Sequence, residues 1–137
     1  MSETTTNRGK YRALLALAAA SDLRMLVFTG TQTGVSDPDL NTVADLDAVT
    51  SVGIHTERIA LTSIVTAEDD VNNRASIDSA DVTFAAAPGV TAQGVAIYDH
   101  TGISDSVRDL FFIYTTNFPQ PMDGGLVVQV ADFVRAT

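Results

Sequence analysis

Residues 74–99 read RASIDSADVTFAAAPGVTAQGVAIYD and contain three strand signals separated by turn residues. Residues 74–77 and 82–84 are short runs suited to strands, on either side of a polar break. The Pro-Gly pair at 88–89 favours a turn, because proline fixes φ and glycine accepts a positive φ. A longer apolar run follows at 92–99. Because their connections are short, we expect the three strands to be antiparallel neighbours at the centre of a β-fold.

The sequence on either side carries further strand signals. In residues 23–29, alternation places Met25 and Val27 on one face and Leu26 and Phe28 on the other. Further strands are predicted at 54–65, 110–114 and 126–134. Seven or eight short strands with turn signals between them predict a mainly β protein, an antiparallel β-sandwich of immunoglobulin-like or jelly-roll type.

The N-terminal part of the chain predicts a helix. Residues 8–20 are rich in alanine and leucine, and Asn7 is suited to the N-cap position. This segment also resembles a minimal secretory signal, but its apolar part is short for that purpose and far too short to span a membrane. Residues 41–50 fit a helical turn or a short strand, and we expect an irregular segment with a short strand. Residues 66–73 predict an acidic turn.

Composition limits the classes of protein to consider. The chain has 137 residues, no cysteine, 18 % charged residues and a formal net charge of −9. This length suits one domain, so we expect a single β-sandwich domain over 1–137, with residues 1–12 as an N-terminal arm. The acidity argues against binding nucleic acid through its phosphates, and we expect no membrane partner either. The low charged fraction favours an assembly subunit whose surface is partly covered by partners.

Positive charge is concentrated near the N-terminus. Arg8, Lys10 and Arg12 lie within one short stretch, and Lys10 is the only lysine of the chain. A basic arm on an acidic body is suited to docking on an acidic neighbour, whereas a solvated terminus is the alternative interpretation. We predict that Arg8, Lys10, Tyr11 and Arg12 are protein-contact residues.

The sequence shows no motif that indicates catalysis or a bound cofactor. His55 and His100 each stand alone, which favours surface or turn histidines. Two groups of carboxylates could supply loop ligands for calcium, although neither has EF-hand spacing. Solvated turn carboxylates, or partners for Arg58 and Arg74, explain these groups as well. The groups are Asp37, Asp39, Asp45 and Asp47, and Glu68, Asp69, Asp70, Asp78 and Asp81.

Several short motifs follow one another in a recognisable order. They are Asp22-Leu23-Arg24-Met25-Leu26-Val27, Asp69-Asp70, Asn73-Arg74-Ala75, Asp78, Asp81-Val82-Thr83-Phe84, Val95-Ala96-Ile97-Tyr98, Thr101-Gly102 and Gly124-Gly125. Their order resembles a group of small structural proteins encoded by tailed bacteriophages, over about residues 14–134.

This resemblance implies a virion component rather than an enzyme. The expected function is that of a capsid decoration (cement) protein, which binds the outer shell and stabilises contacts between capsid subunits. Its expected partners are the major capsid protein and copies of itself in a trimer. Its expected location is the outer capsid surface, after synthesis in the host cytoplasm. A tail, fibre or head–tail subunit is the alternative within the virion, and a carbohydrate- or calcium-binding adhesion module is the alternative from another class.

Overall fold

The computed structural model describes residues 4–37, 39–51, 53–129 and 134–136. Within them the protein is mainly β, with several antiparallel sheets and two α-helices. In chain order the elements are α1 (Asn7–Ala20), β1 (Leu23–Phe28), α2 (Val43–Thr50), β2 (Ile54–Ala60), β3 (Val65–Asp69), β4 (Arg74–Asp78), β5 (Val82–Phe84), β6 (Thr91–Ala92), β7 (Gly94–Asp99), β8 (Leu110–Tyr114), β9 (Gln120–Pro121), β10 (Leu126–Val128) and β11 (Val134–Ala136). A single 3₁₀ turn, Asp105–Val107, precedes β8.

The largest sheet among the described residues has four strands in the order β2-β1-β7-β8. β1 and β7 pair without interruption from Leu23 opposite Asp99 to Phe28 opposite Gly94. Three smaller sheets have the orders β11-β4-β3, β10-β5 and β6-β9. Residues 74–99 therefore supply one strand to each of the four sheets.

This distribution corrects the expectation that the strands of 74–99 are antiparallel neighbours. β4, β5 and β7 each pair with strands from other parts of the chain. The connections between them bond to distant segments instead of closing hairpins. The amide of Ala80 donates to the carbonyl of Thr62 at 2.9 Å, and that of Ala87 to the carbonyl of Met122 at 2.7 Å. The chain thus changes sheet at each break.

The four-stranded sheet is covered on both faces. On one face Met25 and Val27 belong to a core that also contains Ile77 of β4 and Phe84 of β5. On the other face Leu26 and Phe28 pack in a second core with residues of α2. The predicted alternation along β1 is therefore confirmed. Both cores depend on β1 and β7, which hold the molecule together.

The hairpin of β3 and β4 lies beside α1 and differs from the prediction. One strand was expected over 54–65 and an acidic turn over 66–73, whereas β2 ends at Ala60 and β3 occupies Val65–Asp69. Ser63, at a φ of 53°, interrupts the extended backbone. Asn73, also at a φ of 53°, closes the turn that leads into β4. Asparagine tolerates this left-handed conformation better than most residues, so the turn forms there.

Residues 41–50 also correct the prediction, because α2 is a helix. Thr42 accepts a hydrogen bond from the amide of Asp45, and the Asp45 carboxylate accepts from the amide of Thr42. This capping box satisfies free amides of the first turn and stabilises the helix start. In α1 the helix is confirmed, but Thr6 is the N-cap and accepts from the amide of Gly9 at 3.1 Å.

The predicted strand at 126–134 is represented by two separate strands. β10 pairs with β5, whereas β11 pairs with β4 in a different sheet. Residues 130–133 lie outside the described part of the chain. The predicted last strand is therefore confirmed for residues 126–128. At its C-terminal end the prediction is wrong, because β11 belongs to a different sheet.

Candidate functional site

The inner face of α1 is held against the first core. Leu14 is buried, and Tyr11, Leu17 and Ala18 are partly buried and pack on that core. These residues recur at three- and four-residue intervals, so they lie on one side of the helix. The fold thus fixes the rotation of α1 and determines which side chains point outward.

Polar contacts join the first turns of α1 to the β3–β4 hairpin. Arg8 pairs with Glu68 at 3.1 Å, and the ammonium group of Lys10 donates to the carbonyl of Asn73 at 2.8 Å. Asn7 donates to the carboxylate of Asp70 at 3.0 Å. The acidic neighbour of the basic segment is therefore part of the same chain.

The predicted contact residues are brought together but are used in different ways. Arg8 also lies over the ring of Tyr11, with 5.3 Å between its guanidinium carbon and the ring centroid. Lys10 and Tyr11 face the hairpin and the core. Arg12 is exposed and makes no ion pair with any residue in the described ranges. Of the four, Arg12 is the most available to a partner.

The outer face of α1 is the most unusual surface near these residues. We define it as Arg12, Ala13, Leu15, Ala16 and Ala19, all of which are exposed. The outer side of a surface helix is normally rich in charged and polar residues, whereas only one member of this face is charged. A helix with apolar residues on both sides is typical of one that is buried on both sides.

The turn of the neighbouring hairpin adds another exposed apolar residue. Val71 lies between Asp70 and Asn73, which α1 contacts, and its side chain is 91 % exposed. Single exposed apolar residues are common on protein surfaces. Val71 is notable because it lies at the N-terminal end of α1. The hairpin turn thus combines one exposed apolar side chain with the charged and polar residues that contact the first turns of α1.

A second cluster of polar residues lies at the end of the four-stranded sheet. The two terminal guanidinium nitrogens of Arg58 donate to the two carboxylate oxygens of Asp105, at 2.5 and 2.8 Å. Arg108 also donates to Asp105, at 3.1 Å, and to the carbonyl of Gly102, at 3.0 Å. The hydrogen bonds from Arg58, with further support from Arg108, lower the pKa of Asp105. The cluster fixes the segment between β7 and β8 on the sheet.

His100 extends this cluster through both of its ring nitrogens. Its Nδ1 lies 2.7 Å from the hydroxyl of Tyr98, and its Nε2 lies 3.3 Å from a guanidinium nitrogen of Arg108. Since a guanidinium only donates, Nε2 must accept, and Nδ1 therefore carries the proton and donates to Tyr98. Burial, followed by the positive charges of Arg24 and Arg108, lowers the pKa of His100.

The sequence did not identify this cluster. Arg58 was named only as a partner for the two carboxylate groups, and its actual partner, Asp105, belongs to neither. The two residues are 47 positions apart, so no local spacing connects them. The expected partner of Arg74 does come from those groups, since Arg74 pairs with Asp69 at 3.1 Å.

The predicted carboxylate groups are occupied mostly by local structural contacts. Asp45 caps α2, and Asp37 accepts from the amide of Asp39 at 2.9 Å. Asp69 accepts from Asn72 and Arg74. Among the residues that the structure describes, no group of three or more His, Asp or Glu side chains is arranged to hold a metal ion.

His55 lies apart from His100, in an open groove with a volume of about 520 Å³. Polar side chains line much of this groove, which runs between the start of β2 and the region around β6. They are Thr29, His55, Thr56, Thr91 and Gln93. The structure therefore does not bring the two histidines into one site.

No protein-family model, no curated protein and no solved structure matches this chain. In the described ranges, neither helix has the length and apolar character needed to cross a membrane.

Proposed function

We propose that this protein is a structural component of a bacteriophage virion, a capsid decoration protein that binds the outer shell and stabilises contacts between capsid subunits. The observation that carries the proposal is the exposed, almost uncharged outer face of α1. The order of sequence motifs that resembles small phage structural proteins supplies the kind of partner. The proposal includes the finer fold assignment, a β-sandwich in which the four-stranded sheet faces the smaller sheets across the first core.

The outer face of α1 is suited to a protein contact. Small alanine side chains allow close approach, and Leu15, 39 % exposed, still has apolar surface to bury. Burial of apolar surface favours association by roughly 25 cal/mol per Å² before the costs of association are subtracted. A shell offers the same contact many times by symmetry, so a modest affinity at each position gives a well-decorated particle.

The polar contacts of α1 prepare this surface. Arg8 and Lys10 hold the helix on the hairpin, and the inner face is buried in the core. The outer face is therefore presented on a fixed element, which lowers the entropy lost on binding. Arg12 remains to pair with an acidic group on the shell.

The proposal predicts that a carboxylate on the outer face blocks shell binding. We expect Ala16→Glu to lower the fraction of protein that co-sediments with undecorated shells of the major capsid protein, with an affinity loss of at least about tenfold, because a charge would be buried without a partner. Ala86→Glu is the matched control, since Ala86 is exposed in a loop and gives the same change in charge. Equal binding of Ala16→Glu, Ala86→Glu and the wild type would contradict the proposal.

The polar groove around His55 favours a second candidate function, a carbohydrate-binding adhesion module on the virion. Hydroxyl and amide side chains such as Thr29, Thr91 and Gln93 are suited to hydrogen bonding with sugar hydroxyls. Titration of the protein with host cell-wall glycans tests this candidate. Binding that is lost in Gln93→Ala would favour adhesion over decoration.

A further inference from the structure

His100 connects the segment between β7 and β8 to the four-stranded sheet. We define residues 100–108 as the β7–β8 segment. The ring of His100 meets the ring of Tyr98 edge-on, with 5.7 Å between the two ring centroids. Its Nδ1 lies 2.7 Å from the Tyr98 hydroxyl, and Tyr98 is completely buried. One side of the imidazole is therefore bonded to a buried side chain of the sheet, and Nε2 on the other side faces Arg108.

Arg108 holds the β7–β8 segment together. Its guanidinium donates to the carbonyl of Gly102 at 3.0 Å and to the carboxylate of Asp105 at 3.1 Å. Its own carbonyl accepts from the amide of Val43, the first residue of α2, at 3.0 Å. Arg108 thus joins the segment to the start of α2, and its contact with His100 joins the segment to the end of β7.

The contact between Arg108 and His100 requires a neutral imidazole. A guanidinium has only donors, so Nε2 accepts from Arg108 only while it carries no proton. Protonation places an N–H on Nε2 at 3.3 Å from a guanidinium nitrogen, so that two donors and two positive charges face each other. One hydrogen bond is lost, and a repulsion between like charges takes its place.

The charged groups around His100 do not offset this repulsion. Burial of the ring, followed by the positive charges of Arg24 and Arg108, lowers the pKa of His100, whereas the charge of Asp22 acts in the opposite direction. The nearby carboxylates already accept hydrogen bonds from guanidinium groups, backbone amides or a hydroxyl. The charged groups in this region are Asp22, Arg24, Arg58, Asp99, Asp105 and Arg108.

We propose that the contact between His100 and Arg108 is a pH-sensitive switch, in which protonation of His100 separates the two side chains and loosens the β7–β8 segment. The change is local, because residues 94–98 of β7 are all buried and β7 pairs with β1 along its length. The inference goes beyond the proposed function and does not depend on it, since α1 is held by the β3–β4 hairpin and the first core.

A titration of the full chain by nuclear magnetic resonance tests the protonation of the ring. The chain has two histidines, so the ring nitrogen signals give two separate curves, with His55 as the internal reference. We expect His100 to carry its proton on Nδ1 at neutral pH and to titrate below the ordinary histidine pKa of about 6.5. A ring that stays neutral down to about pH 5, or that carries its proton on Nε2 at neutral pH, would overturn the inference.

Hydrogen exchange of the same protein tests the loosening of the segment. Exchange rates divided by those of an unstructured peptide at each pH give protection factors that are free of the ordinary effect of pH on exchange. As His100 becomes protonated, we expect the protection of the amides of Val43 and Val107 to fall at least about threefold, because their acceptors belong to the segment. The amide of Met122, which donates to Val90 at 2.9 Å, is the reference and should keep its protection.

Two variants separate the effect of His100 from that of other groups. His100→Gln removes the titration and keeps a side-chain oxygen that accepts from Arg108, so we expect its protection factors not to fall in acid. His55→Gln is the matched control and should behave as the wild type does. Titration of His100 in the wild type with unchanged protection at Val43 would overturn the inference, as would an equal loss of protection in His100→Gln. An equal loss at Met122 would mean that the whole fold opens, and would contradict a local switch.

Discussion

β7 and α1 have similar sequences in one respect, since each is apolar on both sides, but the chain covers them differently. Residues 94–98 of β7 are all buried, between the first core on one face of the sheet and α2 on the other. In α1 only Leu14 is buried, and the outer face carries Leu15 and several alanines in contact with solvent. The chain buries both faces of its central strand, β7, but only one side of its N-terminal helix, α1.

This difference separates residues that stabilise the fold from residues available for function. Apolar residues of β7 are explained fully by packing inside the chain. Those on the outer face of α1 keep exposed apolar surface within the described structure, and under the proposed function this surface is buried by a partner. Mutations around β7 should therefore change stability, whereas mutations on the outer face of α1 should change binding.

The largest effect on stability is expected at Gly94, where β7 approaches Phe28. A Cβ at this position would lie 2.5 Å from the ring of Phe28 and 2.5 Å from the carbonyl oxygen of Tyr114. We expect Gly94→Ala to lower the free energy of unfolding by about 3 kcal/mol through overpacking, measured by urea denaturation. Gly124→Ala is the control, since nothing lies within 4 Å of its added Cβ. A similar small effect for both variants would argue against a tightly closed sheet.

A smaller effect is expected from the ion pairs of the two regions. Asp105→Ala leaves the mostly buried guanidinium groups of Arg58 and Arg108 without their acceptor, and we expect a loss of about 2 kcal/mol in the free energy of unfolding. The matched change beside α1, Glu68→Ala in β3, removes the partner of Arg8, which is 67 % exposed. Its expected effect is under about 0.5 kcal/mol, as for other solvated pairs. Equal losses of stability in the two variants would contradict the expected difference between the mostly buried ion pairs of Asp105 and the solvated ion pair of Glu68.

The smallest of these effects on stability is a pH dependence caused by His100. Because its pKa is lowered in the folded protein, the unfolded chain binds the proton more readily. Stability should therefore fall as the pH decreases through the ordinary histidine pKa of about 6.5 towards the lower folded value. Chemical denaturation at several pH values should show this slope in the wild type and a reduced slope in His100→Gln. An unchanged slope in His100→Gln would mean that other titratable groups cause the pH dependence of stability.

Local patterns predicted the elements that local chemistry determines. The helix at 8–20, the alternation of β1 and the apolar strand β8 follow from composition and periodicity, and the structure confirms them. α2 was missed although Thr42 and Asp45 have the spacing of a capping box, because the helix is short and residues 43–50 also fit a strand. The capping hydrogen bonds thus favour a helix in residues 43–50, where the periodicity of the sequence is ambiguous.

Sheet membership and the polar cluster depend on contacts that local spacing does not encode. Three of the four strands of 74–99 were identified, and the predicted run 92–99 is divided into β6 and β7. Each strand joins a different sheet because its partners lie elsewhere in the chain. The pairing of Arg58 with Asp105 brings together residues from β2 and from the segment before β8. For the N-terminal residues, the sequence located the charge, and the structure added that Arg8 and Lys10 contact the chain's own hairpin.

The most direct test of the proposed decoration function is a density map of a whole phage particle, in which the copies of this chain are located and counted. The account predicts many symmetric copies on the outer shell, with the outer face of α1 against the capsid subunits. A few copies on the tail axis would contradict the decoration function and favour a tail or head–tail subunit. Copies on the shell with α1 facing solvent would contradict the claim that this helix is the contact surface.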